Sequence, residues 1–384
     1  MNVESMNAAQ SEPYGALYLH IPFCASRCAY CDFTTEAVAP DDPRIDTYLD
    51  GLIREVRDVA REGLLSAVRS VYIGGGSPSF LGSRRLVQLV YTLALSIDLT
   101  GLEFTVEANP EQITDSLVRD LFALGVNRFS LGVQSFQDAD LRALGRIHDA
   151  ARARGAITAI RERCDNLSID LICGIAGQTM ASWLASLEAA ETFDLPHISI
   201  YPLTVEEGTP FAHAAKQGRL VSLDEDTQAL FMEQAAEHLR QQGYHRYEVA
   251  SYAKPGSECR HNSAYWTGVS YLGLGRGAAG MRQSATGRER LMGGKVVETL
   301  TPAQAITEDL MLGMRMSEGI AREQLTRADI ILPGAYEVFS ELIDLGLVEA
   351  DEKRYRPTAR GWLLGNELYG RIWALAGVSG SRSQ

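Results

Sequence analysis

Three cysteines fall within eight residues of one another, in the run HIPFCASRCAYCDF at 20–33. The spacing Cys-x3-Cys-x2-Cys puts Cys24, Cys28 and Cys31 on one short loop. Three thiolates spaced in this way can hold three irons of a cubane iron–sulfur cluster and leave the fourth iron without a protein ligand. An open coordination position marks a reactive site, because purely structural metal sites are closed. Zinc is the competing reading, but it needs a fourth Cys or His at knuckle spacing, and His20 lies on a strand predicted to point elsewhere. The remaining cysteines, Cys164, Cys173 and Cys259, are scattered, so the six together are not a disulfide framework. A second feature is Gly74-Gly75-Gly76-Ser77-Pro78, where missing Cβ atoms let a ligand approach the backbone. Taken alone, three glycines could equally be a plain turn.

These residues need elements to hold them. From about Ala16 to Tyr201 short β-rich runs alternate with longer amphipathic stretches. The predicted strands are 16–21, 70–75, 102–108, 128–133, 167–173 and 197–203. The predicted helices include 48–62, 84–97 and 114–124, the last entered by Thr114 as N-cap and closed by Gly125. Successive βα units imply an α/β fold with a parallel sheet and right-handed crossovers. The pattern leaves open a flat doubly wound sheet or a curved, incomplete TIM-like barrel, since six units are too few for a closed eight-fold one. Either way ligands belong at the carboxyl ends of the strands, where the cysteine loop, the glycine run, Glu107 and Gln134 all fall. Residues 204–300 read as less regular, with a helix over 224–241, a loop containing CRHNSAYW (259–266) and a Gly-rich stretch at 273–280. From 301 a small, mostly helical winged-helix-like domain is predicted, with a core at 15–300 and a disordered lead-in at 1–14.

The formal net charge of −13 argues against a nucleic-acid surface. No apolar run is long enough to span a bilayer and the polar N-terminus carries no hydrophobic signal, so a cytoplasmic protein without an integral membrane segment is expected.

The order of these features resembles the radical S-adenosylmethionine (radical SAM) family. The resemblance runs from about Tyr18 to the C-terminus, through YLHIPFC, GGGSPS, FTVEANPE (104–111), RFSLGVQSF (128–136), LGRIH (144–148), IDLICGIAGQ (169–178), YPLTVEEGTP (201–210) and HNSAYW (261–266). It implies an incomplete (β/α)6 barrel and a [4Fe-4S] cluster on Cys24, Cys28 and Cys31. It also implies S-adenosyl-L-methionine chelating the open iron, and reductive cleavage to a 5′-deoxyadenosyl radical, fed by an electron donor such as flavodoxin or ferredoxin. By position in the motifs, the implied cofactor contacts are Tyr18, Tyr30, Gly75, Gly76, Ser77, Glu107, Gln134, Arg146, Asp170 and Leu203. Carboxylates such as Glu107 and Asp170 can accept from an amino group or ribose hydroxyls, and the Arg146 fork can face a ligand carboxylate.

Within the family the landmarks are similar to those of oxygen-independent coproporphyrinogen III oxidases and of a heme-chaperone branch. The oxidases carry an extra cysteine two positions after the third; here that position is Phe33. The chaperone branch shows this ending and a motif associated with heme, here His261, Asn262, Tyr265 and Trp266. The resemblance therefore implies heme as ligand and a heme-acceptor protein as partner, with oxidase activity the alternative. Imidazole is a common heme ligand and Tyr or Trp can stack on a porphyrin, with Cys259 a rival ligand to His261. The competing reading makes the motif a loop whose aromatics plug the barrel mouth. Arg276 and Ala279 in LGLGRGAAG (272–280), and Ala176 in IDLICGIAGQ, depart from the family pattern on the substrate side.

Overall fold

The computed structural model describes residues 12–219, 223–284 and 286–377. Six strands run parallel in sequence order: β1 (Ala16–Ile21), β2 (Ser70–Gly75), β3 (Glu103–Ala108), β4 (Arg128–Gln134), β5 (Leu167–Cys173) and β6 (His197–Pro202). Their residues are buried on both faces, as strands covered by crossover helices must be. One residue or more from every one of these strands lines a single interior chamber, Tyr18, Tyr72, Glu107, Ser130, Asp170 and Ser199 among them. The sheet is therefore curled into a barrel, which settles the choice that periodicity leaves open.

Local signals start and stop the helices. Helix α1 (Pro43–Arg61) begins with Pro43 in its first turn and the Asp42 side chain accepting from the Arg44 N–H, and it buries Leu49, Leu52, Ile53 and Val56. Helix α2 spans Gly82–Ala94 and α3 spans Asp115–Ala123. Thr114 Oγ1 accepts from the Leu117 N–H at 3.2 Å, and Gly125 takes a φ of 101° just past the end. The chain continues through α4 (Asp138–Leu144), α5 (Ala150–Arg161), α6 (Met180–Glu191), α7 (Pro210–Lys216) and α8 (Glu225–Gln241).

Two expectations fail between 204 and 300. The segment CRHNSAYW is not a loop but helix α9 (Arg260–Trp266). Its start is capped from across the fold: Glu103 on β3 accepts from the backbone N–H groups of Arg260 and His261, each at 2.9 Å. No local sequence signal encodes a cap of that kind. The Gly-rich stretch is also structured. After β7 (Ser251–Ala253), antiparallel to β6, strand β8 (Tyr271–Leu274) pairs parallel to β1. Strands β9 (Ala279–Ser284), β10 (Gly287–Met292) and β11 (Lys295–Leu300) then form a meander beyond it. A Cβ at Gly273 would stand 2.1 Å from the Ala279 carbonyl oxygen, so the β8–β9 approach requires glycine there.

The C-terminal region has its own core of Leu310, Met314, Leu325, Phe339, Leu342 and Ile372. It contains α10 (Pro302–Gly313), α11 (Arg322–Ile331), α12 (Ala335–Asp344) and a three-stranded sheet of 320–321, 348–350 and 354–357, followed by α13 (Ala359–Leu363) and α14 (Gly365–Trp373). It is fastened to the barrel by Arg288 of β10, buried and bonded to Glu308 and Asp309 of α10 at 2.5 Å each. The expected lead-in of 1–14 is too long by its last residue. Tyr14 is buried and its N–H donates to Leu64 O at 3.0 Å, while residues 1–11 lie outside the described residues.

Candidate functional site

At the carboxyl ends of the strands lies a pocket of about 340 Å³. The cysteine loop forms one wall. It is tied back at several points: Cys31 N–H donates to Cys28 O at 3.2 Å, Arg27 Nε donates to Cys31 O at 3.2 Å, and His20 Nε2 bonds Thr34 O at 2.9 Å. His20 thus steadies the loop and does not join the thiols. Cys24, Cys28 and Cys31 are half-buried, unbridged and face the same pocket. Burial, then the neighbouring Cys31 and Cys28, pushes the Cys24 thiol up to about 12. Among the described residues no three His, Cys, Asp or Glu side chains gather closely enough for one metal ion. Thiols that each bind a different iron of a cubane must face one volume while standing apart, and this loop fits that demand.

The glycine run closes against the loop. A Cβ at Gly76 would stand 2.8 Å from Cys24 Sγ, and one at Gly75, whose φ is 118°, would meet His20 at 2.8 Å. Ser77 is buried behind the run. Its Oγ donates to Gln112 Oε1 at 3.0 Å and accepts from Asn109 Nδ2 at 3.1 Å. Asn109 also accepts from Arg146 Nη2 at 2.6 Å. The Arg146 guanidinium reaches on to Gly132 O at 3.1 Å and, through Nη1, to Cys28 Sγ at 3.4 Å. One hydrogen-bonded chain therefore links the glycine run, the end of β3, β4 and the cysteine loop. Gln134, at the end of β4, holds a left-handed φ of 66° where the β4–β5 register shifts, a costly conformation for a non-glycine residue.

Two carboxylates form the floor. Glu107 accepts from Tyr72 Oη at 2.8 Å and from the Gly75 N–H at 3.0 Å. Burial pushes its carboxyl up to about 7. Burial likewise pushes Asp170 up to about 6, and Ser130 Oγ donates to it at 3.5 Å. Tyr30 and Leu203 complete the walls.

Nine of the ten residues assigned to cofactor binding by resemblance thus share this pocket. The tenth, Tyr18, stands below it, with its hydroxyl bonded to His20 Nδ1 at 3.0 Å. Sequence reasoning missed Asn109, the brace between Ser77 and Arg146, and Tyr201 and Ser130, which line the floor. Asn109 had a signal, its place before Pro110 at a strand end; Tyr201 and Ser130 had only their strand-face parity.

Beneath the two carboxylates is the polar chamber of about 330 Å³, and its floor is α9. The HNSAYW motif, which the resemblance associates with heme, lies inside the barrel. His261 is 1% exposed; its Nδ1 bonds Ser70 Oγ at 3.0 Å and its Nε2 bonds Tyr265 Oη at 2.9 Å. The ring stacks on Tyr72 at 5.0 Å, and burial lowers its pKa to about 3. Both ring nitrogens are engaged by hydrogen bonds inside the barrel. Asn262 lines the chamber, Tyr265 stacks edge-on against Tyr271, and Trp266 Nε1 donates to Glu248. Cys259, the rival ligand, is fully buried with Sγ on Glu103 Oε1 at 3.4 Å. None of these residues lines the cysteine pocket.

Known proteins resemble this chain in sequence and in fold. The model of the radical SAM superfamily matches residues 18–190, and that of the HemN C-terminal domain matches 300–364. The heme chaperone HemW of Lactococcus lactis subsp. lactis is 35% identical, over 92% of this chain and 95% of that protein. HemW of Escherichia coli is 36% identical, over 71% of each. Among solved structures, coproporphyrinogen III oxidase (HemN) from Escherichia coli aligns with a TM-score of 0.78 at 22% identity, covering 95% of this chain and 91% of that one, a likeness of fold.

Proposed function

Since the chain belongs to the heme chaperone HemW family of radical SAM proteins, we propose that it binds heme and passes it to an acceptor protein. A [4Fe-4S] cluster on Cys24, Cys28 and Cys31 and exchangeable S-adenosyl-L-methionine support that transfer. The observation that carries this reading is Phe33, 64% exposed at the rim of the cysteine pocket, where the oxidase pattern has a further cysteine. An apolar ring there gives a porphyrin a contact surface beside the cluster. The oxidase alternative needs cations to grip two propionates during decarboxylation. Among the described residues the pocket's cations are Arg27 and Arg146, and with Arg146 facing the carboxylate of S-adenosylmethionine, Arg27 alone is left for two propionates.

When bound, the cluster supplies an electron to the sulfonium of S-adenosylmethionine, drawn from a flavodoxin- or ferredoxin-type donor. The chain's own residues do the rest. The glycine run admits the ligand against backbone, Arg146 presents a fixed cation toward a ligand carboxylate, and Glu107 and Asp170 receive amino or hydroxyl donors. Heme sits outside this pocket, against the loop bearing Phe33, and α9 closes the barrel below. The protein works in the cytoplasm, where a reducing milieu keeps such thiols available; no helix among the described residues is long and apolar enough to cross a membrane.

The test is anaerobic transfer. Reconstituted protein loaded with hemin should deliver it to an apo-hemoprotein, and incubation with coproporphyrinogen III, S-adenosylmethionine and a reductant should release no CO₂. Carbon dioxide released in turnover amounts would establish the oxidase instead.

A further inference from the structure

The motif LGRIH gives Arg146 to the cofactor pocket, but its last residue, His148, lies outside that pocket, buried just before α5. Its Nε2 donates to the Val133 carbonyl oxygen at 3.1 Å. Its Nδ1 stands 3.3 Å from Glu111 Oε2, with the ring fully enclosed and the carboxylate largely so. A carbonyl and a carboxylate both accept, so the position calls for a donor at each end, which an imidazolium supplies. Glu111 is anchored in turn. Its Oε1 accepts from Gln112 Nε2 at 2.9 Å, and its backbone oxygen accepts from Arg152 Nη2 of α5 at 3.3 Å. Burial would raise the Glu111 carboxyl, yet His148 beside it is foremost in holding it below the ordinary carboxylate range.

The carbonyl that His148 holds belongs to a strained turn. The Ser135 N–H donates to the same Val133 oxygen at 2.8 Å, closing a three-residue turn on Gln134, whose φ is 66°. A bond from residue i+2 to residue i across a central residue of positive φ is the rare, strained form of the γ-turn. Such a conformation persists only where its surroundings over-determine it. The β4–β5 register shifts across this point, between Leu131 and Gln134, so the regular ladder is interrupted where the turn must be held. The turn sets where the Gln134 amide lies. A Cβ at Gly132 would stand 2.9 Å from Gln134 Nε2 and 3.0 Å from Asn109 Oδ1, so the amide folds over Gly132 beside the brace from Asn109 to Arg146.

We propose that His148, clamped by Glu111, holds the strained turn that presents Gln134 to S-adenosylmethionine. The inference rests on the S-adenosylmethionine reading of the pocket. His148 is a positioning residue, because it touches the turn and not the ligand. Glycine adopts a positive φ without strain, so at position 134 it would need no clamp. The two positions are therefore coupled: His148 matters to the pocket only while residue 134 carries a side chain.

Calorimetric titration of the cluster-loaded protein with S-adenosylmethionine, beside urea unfolding of the ligand-free protein, tests that coupling. His148→Ala should bind S-adenosylmethionine about tenfold more weakly than the wild type, with iron content unchanged. His148→Gln, whose amide can donate to Val133 O, should recover most of the loss. Gln134→Gly should itself weaken binding, and adding His148→Ala to it should weaken binding no further. The urea midpoint should likewise fall with His148→Ala in the wild-type background and fall less in the Gln134→Gly one. Equal losses in the two backgrounds, in either measurement, make His148 a packing residue and overturn the inference. If His148→Ala does not fold, Glu111→Gln takes its place in the same cycle, with a smaller loss expected and the same criterion; it keeps an acceptor for Gln112 and removes the charge opposite the ring. A coupled midpoint in a wild type that binds no S-adenosylmethionine would instead overturn the cofactor reading, and with it the role of the clamp toward the ligand.

Discussion

The two ends of the barrel hold similar numbers of reactive side chains and treat them in opposite ways. At the carboxyl ends of the strands, Cys24, Cys28 and Cys31 sit half-exposed on a loop, with an arginine fork and a glycine run brought up to them. At the amino ends, His261, His197, Cys259 and Tyr247 are all buried and bonded to one another's neighbours: His197 Nε2 meets Tyr247 Oη at 2.9 Å, and Tyr247 Oη accepts from the Cys259 N–H at 3.2 Å. Imidazole and thiol are chemically able at both ends. What separates a site from a seal is whether the lone pairs are free, and at the lower end they are spent on the fold.

The strongest attempt to break this contrast removes the upper thiols. Cys24→Ala, Cys28→Ala or Cys31→Ala should abolish the cluster's visible absorption and the EPR signal of its reduced form, while the circular dichroism stays that of the wild type. A triple variant that still reconstitutes four irons would contradict the assignment. At the lower end the expected loss is of stability. His261→Ala leaves Ser70 and Tyr265 without partners in a closed interior and should lower the unfolding free energy by about 2–4 kcal/mol. Its hemin affinity, measured on the folded fraction, should match the wild type. Selective loss of hemin binding with unchanged stability would restore His261 as a heme ligand.

Glu107 joins the two ends and gives the contrast a pH signature. Its folded carboxyl lies at about 7, above the ordinary 4.5. Its contribution to stability is therefore complete below the ordinary value and is lost as pH rises through about 7, a loss on the order of 3 kcal/mol. Urea unfolding of ligand-free protein between pH 5 and 8 should show this decline in the wild type and not in Glu107→Gln; parallel curves would refute it. The smallest effect belongs to the rim. Phe33→Ala should weaken hemin binding several-fold and leave iron content and S-adenosylmethionine affinity unchanged, as spectrophotometric titration would show.

The upper end was the legible one. The cysteine spacing, the glycine run and the strand-end positions of Glu107 and Gln134 are local signals, because a loop that meets a ligand must carry its donors in a fixed order. Strand 70–75 and strand 167–173 were also plain, being apolar runs bounded by turns. The lower end was not legible for the opposite reason. Helix α9 starts where Glu103, more than 150 residues earlier, supplies its cap, and β8 pairs with β1 from the far side of the chain. The resemblance implies a heme ligand at His261, but the residue type says nothing about which way the fold turns it, and here the ring lies buried against Ser70 and Tyr265.

The central claim is that this chain carries heme beside a three-cysteine cluster. Anaerobic titration of the reconstituted protein with hemin, with and without S-adenosylmethionine, tests it most directly. The account predicts a saturable Soret shift at about one hemin per chain, retained in His261→Ala. No Soret shift at stoichiometric hemin would contradict it.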